Sequence, residues 1–169
     1  MNRRLVLKAG ALTGALAGAN IAVGAIRPLF AQTAQKVPDK GPPLEVQTVK
    51  EFVIAAHADL EKTTKMLEAQ PALVNATWDW GGGDWETGLG GASHIGSTAV
   101  AEYLLSKGAR MDIFCAAMLG RIDIVKAFLA ADPKIVDLPG PHRIPLIRHA
   151  IAGKQDAVVE LLKAHGAKT

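Results

Sequence analysis

Ala69-Gln70-Pro71-Ala72-Leu73-Val74-Asn75 and Ala131-Asp132-Pro133-Lys134-Ile135-Val136-Asp137 align residue for residue. Each segment follows an apolar pair that closes a helical pattern, Met66-Leu67 in one and Phe128-Leu129 in the other. Working outward, the same pair recurs as Leu104-Leu105 and Leu161-Leu162. Nine residues before the second member of each pair stand Ala58, Gly96, Gly120 and Gly153, and thirteen before it stand Ile54, Ala92, Ala116 and His149. Small residues let paired helices approach closely, and a glycine permits the left-handed turn between them. Each unit therefore reads as a short helix, a tight turn and a second helix. A single such unit cannot bury its apolar face, so stacking of successive units must supply the core.

Two further endings, Ser106-Lys107-Gly108-Ala109 and Ala164-His165-Gly166-Ala167, place glycine just past a last helical turn. With Thr87-Gly88-Leu89-Gly90 and Ile144-Pro145-Leu146-Ile147 at unit starts, the pattern over about residues 49–168 resembles the ankyrin-repeat family. The resemblance implies an all-α solenoid of about four helix-turn-helix units with short or irregular fingers. The units fall near 48–75, 87–112, 113–137 and 144–168. The second leucines of the pairs lie 38, 24 and 33 residues apart, against an ankyrin period near 33. The first interval carries an insertion after Asn75, and the second has no room for a β-hairpin finger. Two surviving fingers then flank a gap into which a ligand or peptide fits. Thr48-Val49-Lys50-Glu51 has capping-box spacing and marks the start of a domain spanning 48–169.

The beginning of the chain has a different character. Asn2-Arg3-Arg4-Leu5-Val6-Leu7-Lys8 resembles a twin-arginine export signal, followed by uncharged residues 9–26 and a small-residue site at Leu29-Phe30-Ala31. Residues 1–31 are accordingly expected to be a signal peptide and 32–47, with three prolines, a linker. The expected location is the periplasm. A cleaved signal leaves no stable membrane insertion; an uncleaved one would make a membrane-tethered scaffold. The formal net charge is +3, but Arg3, Arg4, Lys8 and Arg27 all lie in the signal, leaving 15 basic against 16 acidic residues beyond it. No basic run remains, which argues against nucleic acid. The lone cysteine, Cys115, excludes an internal disulfide and reads as a small buried residue.

The insertion Thr77-Trp78-Asp79-Trp80-Gly81-Gly82-Gly83-Asp84-Trp85-Glu86-Thr87 holds all three tryptophans. Aromatic side chains of this kind are enriched at binding hot spots. Trp78, Trp80, Asp84 and Trp85, with His94 and the finger residues His142 and Arg143, make up the candidate binding surface. Trp80 is expected to be the least pinned of the three, with Trp78 and Trp85 nearer the repeat body. His149, at a small-residue position, is expected to be buried. No His-x-x-x-His or Cys-x-x-Cys pair occurs, so neither metal nor cofactor is expected. No nucleophile with base is legible, so no catalytic residue is assigned. The expected function is an exported, non-enzymatic protein-interaction module with a protein partner. The alternative is a small-molecule binder or enzyme using the notch between the insertion and residues 140–143.

Overall fold

The computed structural model describes residues 40–168, so the expected signal of residues 1–31 lies outside the described residues. The described chain is mostly helical. Four helix pairs follow one another: α1 (Val46–Ala55) with α2 (Leu60–Ala69), α3 (Gly88–Ile95) with α4 (Thr98–Ser106), α5 (Ile113–Met118) with α6 (Ile122–Ala131), and α7 (Leu146–Ala152) with α8 (Asp156–Ala164). A two-stranded antiparallel hairpin, β1 (Thr77–Asp79) and β2 (Trp85–Thr87), stands between the first two pairs. Single 3-10 turns occupy Pro71–Asn75, Pro133–Asp137 and Pro141–Arg143. The two segments that align in sequence thus share one conformation, each opened by a proline whose missing N–H costs nothing at a helix start.

The first helices pack in chain order, α1 on α3, α3 on α5, α5 on α7, while α2 lies on α4 and α6 on α8. The small positions explain the closeness of the inner row. Ala92, Ala116 and His149 are all fully buried. Gly120 has φ +70, and a Cβ there would strike the side chain of Gln155; one at Gly153 would strike the carbonyl of Met118. Two clusters form the core, one around Phe52, Leu67, Leu104 and Met118, the other around Val125, Leu129, Leu146 and Leu162. Cys115 is fully buried, and that burial pushes its thiol up to about 11. Among the described residues, no helix is long and apolar enough to cross a membrane.

One local expectation needs correction. The first helix starts at Val46, two residues before Thr48, because the Glu45 carboxylate takes the amides of both Gln47 (2.9 Å) and Thr48 (2.6 Å). A charged acceptor serving two amides outcompetes the single hydroxyl of Thr48, which instead donates to Glu45. The connection between α4 and α5 is short and has no finger, as expected. The Asn75 side chain accepts from the Arg110 amide at 2.9 Å and donates to the Gly108 carbonyl at 3.2 Å, meeting backbone groups that have no finger to pair with.

Candidate metal centre

The Trp-rich insertion is an elongated finger. Its turn is made by Gly81, Gly82 and Gly83, which have φ of +122, +64 and +84 and so occupy backbone space costly for other residues. The Asp79 side chain caps the turn through the Gly81 amide at 2.9 Å. Pairing of Asp79 with Trp85 and Trp78 with Glu86 then sets the register. Side chains alternate along a strand. Trp85 is consequently thrown outward, 59% exposed, and Glu86 inward, 1% exposed.

Glu86 meets three imidazoles there. His57 Nε2 lies 3.4 Å from Glu86 Oε2, His94 Nε2 lies 3.0 Å from Oε1, and His142 Nε2 lies 3.4 Å from Oε2. One ligand atom from each of His57, Glu86, His94 and His142 falls within 4.8 Å of all the others. The rings of His57 and His94 meet edge-on at 4.9 Å, those of His94 and His142 at 5.3 Å.

Each residue arrives by a different route. His57 follows the end of α1 and its Nδ1 donates to the Val53 carbonyl at 2.8 Å, leaving Nε2 with a lone pair. Gly91 makes room for it: a Cβ there would sit 2.7 Å from His57 Nδ1. His94 lies in the last turn of α3. His142 holds a left-handed conformation, φ +56, in the finger before α7. The Asp84 carboxylate secures it twice, accepting from the His142 amide at 2.8 Å and from Nδ1 at 2.7 Å. That bond fixes Nδ1 as the protonated nitrogen and again leaves Nε2 free to ligate. A carboxylate behind a histidine is the usual outer shell of a metal-bound imidazole.

The electrostatics follow from burial and these contacts. Burial pushes the Glu86 carboxyl up, but His94, His57 and the Trp80 indole more than offset it, so the group sits below its ordinary value. Trp80 Nε1–H donates to Glu86 Oε2 at 2.8 Å. The Asp84 carboxyl is lowered first by the His142 amide and then by its ring. Glu86 Oε1 and His94 Nε2 are both buried and 3.0 Å apart, yet no aligned hydrogen bond joins them. An ion held tetrahedrally by bonds of about 2.0–2.1 Å sets its ligand atoms roughly 3.3–3.4 Å apart. His57 and His142 Nε2 each lie 3.4 Å from Glu86 Oε2, close to that edge length, while His94 Nε2 approaches the other oxygen, Oε1, at 3.0 Å, and the four groups as a whole span up to 4.8 Å.

Comparison with family models, curated proteins and solved structures finds no match.

Of the sequence-predicted residues, His94 and His142 belong to this cluster, while Asp84 and Trp80 hydrogen-bond to its members. Trp80 is therefore not the loosest of the tryptophans. Its indole is bonded to Glu86 and lies 5.7 Å from the His142 ring. Trp85, expected near the repeat body, is instead the most exposed. Trp78 does lie against the body, packed on the first core cluster with Lys50 over its ring at 5.4 Å. Arg143 lines a cleft of about 520 Å³ with Gly81, Gly82, Gly83, Asp84, Gly140 and His142. The notch is thus real but not an open gap, since Asp84 and His142 tie the two fingers together across it. His149 is buried as expected and its ring lies tilted against Phe114, centroids 4.9 Å apart, with Nδ1 against the Pro145 carbonyl.

His57 and Glu86 were missed. The expectation of no metal rested on pairs close in sequence, whereas the residues of this cluster span positions 57 to 142. One signal was available for Glu86: alternation about a triple-glycine turn puts it on the face opposite Trp85.

Proposed function

We propose that this protein binds a divalent transition-metal ion through His57, Glu86, His94 and His142. The observation that carries the reading is the convergence of three Nε2 atoms and a buried carboxylate within 4.8 Å. Two of the three imidazoles have Nδ1 committed to an acceptor, so Nε2 is offered as a lone pair. Glu86 Oε1 and His94 Nε2 are buried, 3.0 Å apart and bonded to no other group, so an ion between the residues would engage both. Imidazole and carboxylate suit zinc and its neighbours such as iron, cobalt or nickel. They do not favour calcium or magnesium, which want oxygen alone, or cuprous ion, which wants sulfur.

The surrounding fold is read as an ankyrin-type solenoid, supported by the chain-order packing of four helix pairs and the left-handed glycine turns at Gly96 and Gly120 within the second and third pairs. The twin-arginine-like start supports export to the periplasm. The test is calorimetric titration of the chelator-treated chain from residue 32 onward with Zn²⁺ and Co²⁺. One equivalent should bind, and Glu86→Gln or His142→Ala should weaken binding at least tenfold. No binding by the parent chain would sink the reading.

A protein partner is a second reading, favoured by Trp85, a large apolar ring left 59% exposed at the rim of the hairpin. Capture of one periplasmic protein by the parent chain but not by Trp85→Ala would support it.

A further inference from the structure

The metal centre is closed on two sides and open on the third. His57 gives its Nδ1 to Val53, and His142 gives its own to Asp84. The helical histidines His149 and His165 likewise place Nδ1 against the carbonyl four residues back. His94 does not follow them. Its Nε2 is turned to Glu86, and among the described residues nothing accepts from its Nδ1. Its side chain is only 9% exposed, yet Nδ1 is not among the sealed, unpartnered atoms. His94 also lines a cleft of about 400 Å³ between the Pro141–Arg143 turn and α7.

That cleft has a definite chemistry. Arg143 and Arg148 both line it, and neither forms an ion pair among the described residues. The Asp84 carboxylate nearest Arg143 is already engaged by His142. Ile144, Pro145 and Ile151 supply apolar wall between the charges. Two guanidinium groups without an ion pair, lining one cleft with an imidazole that lacks an acceptor, call for an anionic acceptor, and guanidinium pairs with carboxylate in a matching fork. The apolar wall calls for a short hydrocarbon body on that anion.

We propose that this cleft binds a small organic carboxylate. Its carboxylate group is held by Arg143 and Arg148 and accepts the His94 Nδ1–H, and its apolar body lies against Ile144, Pro145 and Ile151. The ligand thereby completes for His94 the outer shell that Asp84 supplies for His142. The inference rests on the metal-binding reading and adds a consequence to it. Outer-shell partners change metal affinity by about 10–100-fold, and coupling between two sites is reciprocal. The carboxylate should tighten the metal, and the metal should tighten the carboxylate.

The test uses the chain from residue 32 onward loaded with Co²⁺, whose visible absorption reports its ligand field. The probe is 4-methylpentanoate, with the uncharged 4-methylpentanamide as its control. The expected result is at least about tenfold tighter Co²⁺ binding with saturating acid and no change with the amide. Arg148→Ala and Arg143→Ala should each lose most of that enhancement while still taking up one equivalent of Co²⁺. Failure of the parent chain to take up Co²⁺ overturns the metal reading and this inference with it. Uptake of Co²⁺ that the acid leaves unchanged overturns this inference alone. An acid effect that survives both arginine substitutions also overturns it, because the acid would then be ligating the ion directly.

Discussion

Metal removal should lower the stability of the whole described fold, and by an amount that can be worked out. The four ligand residues come from the end of α1, strand β2, the last turn of α3 and the finger before α7. The unfolded chain does not hold these positions together, so the ion binds the folded state almost alone. At a free concentration one hundred times its dissociation constant, such a ligand stabilises by about 2.7 kcal/mol. Unfolding entropy is about 2.1 cal/mol/K per residue. Residues 40–168 then give roughly 270 cal/mol/K, and the melting temperature should rise by about 10 °C on loading. The assay is thermal unfolding followed by circular dichroism, with chelator-treated protein compared against protein in excess Zn²⁺. Glu86→Gln keeps the shape of the side chain and its bond from Trp80, but removes the charge an ion requires. Its melting temperature should respond to Zn²⁺ by less than about 2 °C. Equal melting temperatures of the loaded and chelated parent chain, or a full shift retained by Glu86→Gln, would refute the reasoning.

Trp80→Ala removes the donor to Glu86 and the ring beside His142, so ion binding should weaken about 10–100-fold while Trp85→Ala leaves it within twofold by calorimetry. Gly120→Val places a branched side chain at φ +70 against Gln155, and urea unfolding should show a loss of more than about 1 kcal/mol. His149 is held neutral by burial, its pKa lowered from 6.5 to about 4. The unfolded chain therefore binds the extra proton first, and stability falls as pH drops from 6.5 to about 4, by up to roughly 3 kcal/mol. Chelated protein carrying His149→Leu should lack that part of the acid sensitivity; an unchanged pH profile would show that His149 does not cause it.

The helix pairs were legible in the sequence because their causes are local. Gly96 and Gly120 mark left-handed turns, whereas at the equivalent Gly153 the backbone is right-handed and Lys154 takes the positive φ; Leu67, Leu129 and Leu162 mark a buried helical face by periodicity alone. Proline at Pro71 and Pro133 opened the 3-10 turns in the same local way. The importance of Asp84, His94 and His142 was also visible as polar residues in unusual places, but their chemistry was not. Periodicity says which face of an element is buried and nothing about what another element brings to that face. His57 was unremarkable at the end of a helix until Gly91 of α3 made space for its ring. Glu86 was one acid among several until the hairpin register turned it inward, away from water. Ligand spacing in sequence finds only sites built on one turn or one helix. Here the order of packing α1 on α3, α3 on α5 and α5 on α7 is what brings positions 57, 86, 94 and 142 together. Sequence alone determined the helices, their turns and the residues able to ligate; the stacking of those helices decided which of them share a site.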